Sequence, residues 1–164
     1  MSGGEEGTPA GSTVAIEVES FTSEAAAALT AAQYAELRSR YGPFGAPHPV
    51  ASDFEEPHGV FLVARRGDQA VACGGVRFLE AGVAEIRRMY TVTAARRLGI
   101  GARLLVALER HARRLGYRAI RLETGWLQPE ALGLYERAGY LVIPCYGEFN
   151  DQESVCMEKV LARP

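Results

Sequence analysis

The feature that most constrains the fold is a strand–turn–helix–strand unit in the second half of the chain. Residues 84–92 are predicted to form a strand, 93–101 a turn, 102–115 a helix and 119–123 another strand. The helix has the clearest pattern, because leucines and alanines recur at helical spacing on one face while arginines and a glutamate occupy the other. The unit is therefore a βαβ unit with a glycine-containing turn at the start of its helix.

This glycine turn has the properties of an anion site. Gly99 and Gly101 lie where the strand gives way to the helix, and without Cβ atoms they let the backbone curl and bring its N–H groups against a ligand. The start of the helix adds unpaired N–H donors and the positive end of the helix dipole. The turn is therefore predicted to bind a phosphate or pyrophosphate, with Arg96 and Arg97 as additional ionic contacts.

Three interpretations of the glycine turn compete. An ordinary strand-to-helix turn with solvated arginines would look similar. A P-loop is excluded, because the chain lacks the glycine–lysine–serine/threonine motif. A Rossmann site would use Glu123, at the end of the next strand, as its ribose-binding acid. That interpretation fails, because Leu104 occupies the third glycine position and about 40 residues after Glu123 are too few to complete a dinucleotide domain.

The chain is predicted to form one domain over residues 13–164, preceded by a disordered tail over residues 1–12. Residues 42–58 contain four of the eight prolines and are predicted to be a long loop, interpreted either as a binding loop or as a mobile linker. The other predicted elements are strands over residues 14–18, 60–65, 70–78, 140–144 and 154–161, one or two helices over 24–41, and a helix over 129–137.

Composition and charge narrow the functions. A net charge of -2 argues against a general nucleic-acid binder. No apolar run approaches the ~20 residues that span a bilayer, and no secretory signal is evident, so a cytoplasmic protein without membrane contact is predicted. The cysteines Cys73, Cys145 and Cys156 lack metal-ligand spacing, and we expect structural thiols in a reducing compartment and no metal site.

Two motifs in the chain resemble the GNAT superfamily of N-acetyltransferases. The first motif begins with glutamine or arginine, has glycine three positions later, and has glycine or alanine two positions after that glycine. Arg96, Gly99 and Gly101 match these positions. The second lies some 30 residues later, where residues 131–140 are similar to the family's Leu-Tyr helix followed by glycine and an aromatic residue. The resemblance covers about residues 15–159.

The resemblance implies a single-domain α/β fold with mixed α+β character, built on a twisted, mixed sheet of six or seven strands with helices on both faces. The fourth and fifth strands are expected to splay, usually with a bulge in the fourth, and to receive the pantetheine arm of acetyl-CoA. The diphosphate would meet the N–H groups of residues 97–102. Gln128 stands where many members have asparagine, so its reach differs. The implied cofactor-binding residues are Met89, Tyr90, Thr91, Val92, Arg96, Arg97, Leu98, Gly99, Ile100, Gly101, Ala102 and Gln128.

Acetyl transfer to an amine needs a base for the ammonium group and an acid for the leaving thiolate. Glu85 is the predicted base, because the glutamate base of the family's histone-acetylating branch has a similar offset from the glycine turn. The alternative is an edge or surface glutamate paired with Arg87 or Arg121. Tyr135 is the predicted acid, since a phenol is protonated at neutral pH. The alternative is a buried tyrosine that packs helix against sheet.

The family implies direct attack by a primary amine, with a backbone N–H near Met89 or Tyr90 facing the oxyanion. Cys145 is an alternative acyl-accepting nucleophile without an evident base. Two other functions stay open: a non-catalytic acyl-CoA-binding regulatory module and a protein N-acetyltransferase.

The acceptor is predicted only as a small-molecule amine. Acidic residues 53, 55 and 56 would favour a cationic acceptor or are simply solvated. His48 and His58 are either substrate contacts or solvated loop residues. Dimers are common in the family, so a homodimer is compatible with the resemblance.

Overall fold

The computed structural model describes residues 13–45 and 48–163, and the predicted tail over residues 1–12 lies outside them. Within the described residues the chain forms seven strands, three α-helices and two short 3-10 turns. The strands are β1 (Val14–Val18), β2 (Val60–Arg66), β3 (Gln69–Glu80), β4 (Val83–Thr91), β5 (Ala119–Gly125), β6 (Leu141–Ile143) and β7 (Ser154–Val160). The helices are α1 (Glu24–Tyr41), α2 (Ile100–Arg114) and α3 (Pro129–Arg137), and the 3-10 turns are Ala51–Phe54 and Thr93–Ala95.

The seven strands form one mixed sheet in the order β1-β2-β3-β4-β5-β7-β6. The strands β4 and β5 are parallel, because α2 carries the chain back across the sheet between them. The other neighbouring strands are antiparallel. This architecture confirms the predicted α/β fold with a mixed sheet of six or seven strands.

Alternation along β2 separates two apolar cores on opposite faces of the sheet. Leu62 and Ala64 point to one face, where they pack in a core with Leu104 of α2. Phe61 and Val63 point to the other face, where the core includes residues of α1. Helices therefore cover both faces, as predicted, and α3 lies on the α2 side through Tyr135 and its neighbours.

Three local predictions are refined by the structure. Residues 24–41 form a single helix, capped at its start by Ser23, whose Oγ accepts the N–H of Ala26 at 3.1 Å. Helix α2 begins at Ile100, two residues before the prediction, because the left-handed Gly99 already serves as its N-cap. The described residues of the 42–58 segment form a loop that contains one 3-10 turn. None of the helices in the described part of the chain has the length and apolarity for a bilayer crossing.

Candidate active site

The sheet opens between β4 and β5. The two strands pair at three positions, from Val83 opposite Ala119 to Glu85 opposite Arg121. Both strands continue beyond this point without pairing with each other. The predicted splay is therefore present, and the β5-facing backbone groups of β4 beyond Glu85 have no strand partner.

A bulge in β4 lies just beyond the start of the split. Arg87 is opposite Gly75 and Tyr90 is opposite Cys73, so β4 has one residue more than β3 between these pairs. Arg88, inside this interval, has a left-handed backbone with φ 57°. The Met89 carbonyl accepts a hydrogen bond from the Gln33 side chain of α1 at 3.0 Å. Helix α1 therefore braces the bulge from one face of the sheet.

The glycine turn presents backbone donors that the protein leaves unused. Gly99 and Arg97 have left-handed φ values of 76° and 64°, and no side chain caps α2. Among the described residues, no hydrogen bond is donated by the backbone N–H groups of residues 97–102. A Cβ on Gly101 would lie 3.4 Å from Cδ2 of Leu134 and 3.7 Å from Oγ1 of Thr91, so the turn lies beside the end of β4 and against α3. This arrangement is suited to an anion at the mouth of the split.

The two arginines of the turn have different surroundings. The Arg96 guanidinium forms an ion pair with Glu36 of α1 at 2.6 Å and donates from Nε to the Thr91 carbonyl at 2.9 Å. It also lies 5.6 Å from the centroid of the Tyr90 ring. Arg97 is exposed and has no ion pair among the described residues. Arg96 therefore braces the turn against α1, and Arg97 is the better placed of the two to meet a phosphate.

Glu85 is a buried carboxylate, only 1% exposed, at the last paired position of β4. One of its oxygens lies 2.8 Å from Nη2 of Arg77, and the other accepts the Tyr146 hydroxyl at 2.8 Å. Arg87 is more distant, at 3.8 Å. The alternative of a surface glutamate is therefore wrong, and Arg121 instead pairs with carboxylates other than Glu85.

Tyr135 lies in α3 with 6% of its surface exposed. Its ring makes an edge contact with Tyr140, with centroids 5.7 Å apart. Burial raises the pKa of the Tyr135 phenol, and the nearby Glu123 raises it further. The phenol is therefore protonated throughout the neutral range, which is compatible with a proton donor, while the ring also packs in the core.

Some backbone groups at the end of β4 already have hydrogen-bond partners within the protein. The Thr91 carbonyl accepts Arg96, as described above, and Val92 donates its N–H to the Val71 carbonyl at 2.9 Å. The Val92 carbonyl accepts the N–H of Ala95 at 2.9 Å. The N–H of Val92 is therefore not free for a pantetheine arm, which corrects the expectation for that residue.

The remaining predicted cofactor residues lie around the turn and the start of α3. Leu98 and Ala102 are exposed, whereas the Ile100 side chain is buried in the α2 core. Gln128 is the N-cap residue of α3, and its side chain makes no capping hydrogen bond. Tyr90 packs with the α1 core. The turn, the end of β4 and α3 are therefore brought together, as the motif spacing predicts.

Three residues of the site were not predicted from the sequence. Arg77 and Tyr146 hold Glu85, and Glu123 lies on β5 on the other side of the split. Glu123 is partly buried and accepts the Ser154 hydroxyl at 2.7 Å, and desolvation raises its pKa. No spacing signal links these residues, because they come from β3, β5 and the segment between β6 and β7.

The expectation of three thiols is wrong for two of the cysteines. Cys145 and Cys156 form a disulfide, which ties the segment after β6 to β7. Cys145 therefore has no free thiolate in this structure for the alternative role of acyl acceptor. Cys73 is free and buried, and burial raises the pKa of its thiol to about 12.

The sequence over residues 26–140 matches the acetyltransferase (GNAT) family. The chain therefore belongs to this family, and the prediction of a GNAT-family N-acetyltransferase is confirmed. It is similar to the IAA acetyltransferase of Azospirillum brasilense, with 40% identity over 103 residues that cover 62% of this chain and 67% of that protein.

Solved structures agree with this family assignment. A Klebsiella pneumoniae protein, provisionally described as an acyl-CoA N-acyltransferase, is 30% identical with a TM-score of 0.77, covering 92% of this chain and 99% of that one. The PaiA N-acetyltransferase of Thermoplasma acidophilum, solved in complex with coenzyme A, has a TM-score of 0.67 at 18% identity and covers 90% of this chain and 99% of its own. At that identity the second likeness concerns the fold alone.

Proposed function

We propose that this protein transfers the acetyl group of acetyl-CoA to a primary amine of a small molecule, by direct attack of the amine on the thioester. One observation carries the proposal. The buried carboxylate of Glu85 lies where β4 and β5 separate, and β4 leads into the turn over residues 97–102, whose N–H groups have no partner in the described residues. Anion binding and proton abstraction are therefore available along one strand.

In this proposal the turn over residues 97–102 binds the diphosphate, with Arg97 as an ionic contact. The pantetheine arm lies in the split, where β5-facing backbone groups of β4 lack strand partners. Arg96 acts indirectly, because its ion pair with Glu36 fixes the turn against α1. Gln128, before α3, lies at the margin of the same site.

Glu85 removes the proton from the ammonium form of the acceptor, directly or through a water molecule. Its carboxylate is oriented by Arg77 and Tyr146 from two sides. Amine attack on the thioester carbonyl forms a tetrahedral intermediate, and an N–H near Met89 or Tyr90 stabilises its oxyanion. Collapse of the intermediate breaks the carbon–sulfur bond, and the Tyr135 hydroxyl protonates the leaving thiolate. The second proton lost by the attacking nitrogen returns to the phenolate through water.

The binding half of the proposal is tested by two glycine variants. Gly99→Val places a β-branched residue at φ 76°, which we expect to distort the turn and weaken acetyl-CoA binding by about 10-fold or more. Gly116→Val is the matched control, because it places the same residue at φ 93° in equally open space just beyond the other end of α2, away from the turn. Titration calorimetry with acetyl-CoA and CoA measures both. Equal affinities for the two variants would contradict diphosphate binding at this turn.

The chemical half is tested by thiol release from acetyl-CoA across a panel of primary amines. IAA, which is not a primary amine, is assayed separately because a relative is named for it. Tyr135→Phe should lower kcat by about 10-fold or more while the Kd for acetyl-CoA changes little. Equal losses in both would assign Tyr135 a packing role. Binding of acetyl-CoA without turnover of any amine would favour the non-catalytic module, and turnover of peptide amines alone would favour a protein acetyltransferase.

A further inference from the structure

One arginine at the site lacks the partner that the neighbouring arginines have. Arg88 lies in the bulge of β4, and its Nη2 is 3.1 Å from Nδ1 of His48 in the 42–58 loop. Its Nε is fully buried and has no hydrogen-bond partner. Among the described residues, no carboxylate forms an ion pair with Arg88, although the side chain is half-buried.

The surroundings of Arg88 are positively charged. Arg77 is paired with Glu85 and lies 3.5 Å from Asp53, and Arg87 lies 3.8 Å from the same Glu85. Glu85 and Asp53 therefore lie near Arg77 and Arg87, and Glu123 interacts with Arg87 as well, whereas Arg88 has no carboxylate partner in the part of the chain that the structure describes. Burial lowers the pKa of the Arg88 guanidinium, and Arg87 lowers it further. A partly desolvated cation without a counter-ion is costly, so an anionic ligand would be stabilised there.

The bulge directs Arg88 toward the same loop that contacts Arg77, the partner of Glu85. Arg88 contacts His48, and Arg77 contacts Asp53. Both loop residues come from the 42–58 segment, His48 before its 3-10 turn and Asp53 within that turn. A left-handed backbone is unfavourable for a residue with a Cβ and costs roughly 1–2 kcal/mol. Arg88, which lies in the bulge, has this conformation. Glu85 and Arg88 therefore face one region beneath the loop.

We propose that Arg88, assisted by His48, binds a carboxylate of the acceptor, so that the substrate is an amine that also carries a carboxylate group, as an amino acid does. The inference rests on the proposed function. The planar guanidinium can donate two parallel hydrogen bonds to a carboxylate. The acceptor amine would then lie toward Glu85 and its carboxylate toward Arg88.

The test compares each acceptor with its own carboxamide, a pair of nearly equal shape that differs in charge. The panel contains α-amino acids and straight-chain ω-amino acids, assayed by thiol release from acetyl-CoA. In the wild-type protein we expect kcat/KM for the preferred acid to exceed that for its amide by at least ~10-fold. Arg88→Gln should remove this preference, with a rise in KM for the acid and little change for the amide.

Two further variants control the experiment. Arg88→Lys keeps the charge without the planar fork and should retain part of the preference. Arg66→Gln, at the end of β2 and remote from the bulge, should leave the preference unchanged. Titration with acetyl-CoA verifies that each variant is folded. If Arg88→Gln does not fold, the intermediate preference of Arg88→Lys still tests the inference.

The outcomes separate this inference from the proposed function. Turnover of amides as efficient as that of acids, or an unchanged preference in Arg88→Gln, would overturn the carboxylate site while leaving acetyl transfer intact. Binding of acetyl-CoA without turnover of any amine would overturn both. A preference that follows Arg88 and is absent from the amides would support the assignment.

Discussion

Two buried carboxylates on opposite faces of the sheet have nearly the same partners and different surroundings. Glu85 of β4 is 1% exposed and is held by Arg77 and by the Tyr146 hydroxyl. Glu109 of α2 is 4% exposed and is held by Lys159 at 3.0 Å and by the Tyr140 hydroxyl at 3.2 Å. In each cluster, burial raises the pKa of the tyrosine and the carboxylate raises it further.

The difference lies in what each cluster adjoins. Glu109 and its two partners come from α2, β7 and the residue before β6, which pack together where the sheet is continuous. Glu85 lies at the end of the β4–β5 pairing, next to a split and a bulge. Burial and pairing alone therefore do not distinguish the two carboxylates, whereas the adjacent break in the sheet does, and it makes Glu85 the candidate for chemistry.

The largest expected effect separates the two glutamates. Glu85→Gln should lower kcat by about 100-fold or more, because an amide cannot accept the ammonium proton. Glu109→Gln should leave kcat nearly unchanged. Both should reduce stability by about 1–3 kcal/mol, since each weakens charged hydrogen bonds in a buried cluster. Urea unfolding and thiol release on the same preparations measure the two quantities.

The matched stability loss serves as the control for this comparison. If Glu109→Gln lowers kcat as much as Glu85→Gln at equal stability, the effect on Glu85 is structural and its role as the base is wrong. An active Glu85→Gln variant would transfer the role to another group, with Glu123 across the split as the first residue to substitute.

The tyrosines should show the same contrast on a smaller scale. Tyr146→Phe should lower kcat roughly 3- to 10-fold, because one oxygen of Glu85 loses the donor that orients it. Tyr140→Phe should lower the melting temperature and leave kcat unchanged, because its hydroxyl donates to Glu109 within the closed cluster. Steady-state kinetics and thermal melts on the pair measure this. A kinetic defect in Tyr140→Phe would remove the distinction between the two clusters.

The sequence predicts the parts of the site that lie close together in the chain. The glycine turn and the Leu134–Tyr135 pair of α3 belong to two motifs some 30 residues apart, and the spacing of these motifs is sufficient to predict them as parts of one site. The partners of Glu85 are different, because Arg77 comes from β3 and Tyr146 from beyond β6. The sequence predicts Arg87 or Arg121 as the alternative partner of Glu85, whereas Arg77 lies directly opposite Glu85 in the β3–β4 register, which spacing along the chain does not give.

Neither the surroundings of Arg88 nor the disulfide can be predicted from the sequence, because both depend on how the strands pair. One extra residue in β4 turns Arg88 toward His48, and single-residue bulges have no periodicity signal. Cys145 and Cys156 are separated by β6 and a loop, and they meet because β6 pairs with β7 in antiparallel register. An odd cysteine count alone could not predict this pairing.

The disulfide is expected to act on the Glu85 cluster alone. Cys145 precedes Tyr146, so loss of the crosslink loosens the segment that carries the hydroxyl. The Cys145→Ser and Cys156→Ser double variant should lose about 2–3 kcal/mol of stability. It should also lose kcat by a smaller factor than Tyr146→Phe, because the hydroxyl is still present. Urea unfolding, kinetics and thiol titration of the oxidised protein measure these effects, and an unchanged stability would contradict a structural crosslink.

The smallest effect concerns a third carboxylate, Glu123, which is partly buried and has no ion pair among the described residues. Burial raises its pKa in the folded state, so its contribution to stability is present below the unfolded pKa of ~4.3 and is lost as pH rises through the folded value. Glu123→Gln removes that pH-dependent loss. The variant should therefore gain stability relative to the wild type at pH 7, and the gain should vanish near pH 4.

Glu130 supplies a control of opposite sign for this measurement. Its pKa is lowered, first by a hydrogen bond with its own backbone and then by Arg40, so its contribution is present at neutral pH and lost on acidification. Glu130→Gln should therefore lose stability at pH 7 and approach the wild type near pH 4. Urea unfolding at pH 4, 5.5 and 7 compares the three proteins. If the stability difference between Glu123→Gln and the wild type does not change with pH, hydrogen bonding to Ser154 and not the charge determines the effect of the substitution. A partly buried carboxylate at the split would then tolerate its charge without a paired cation.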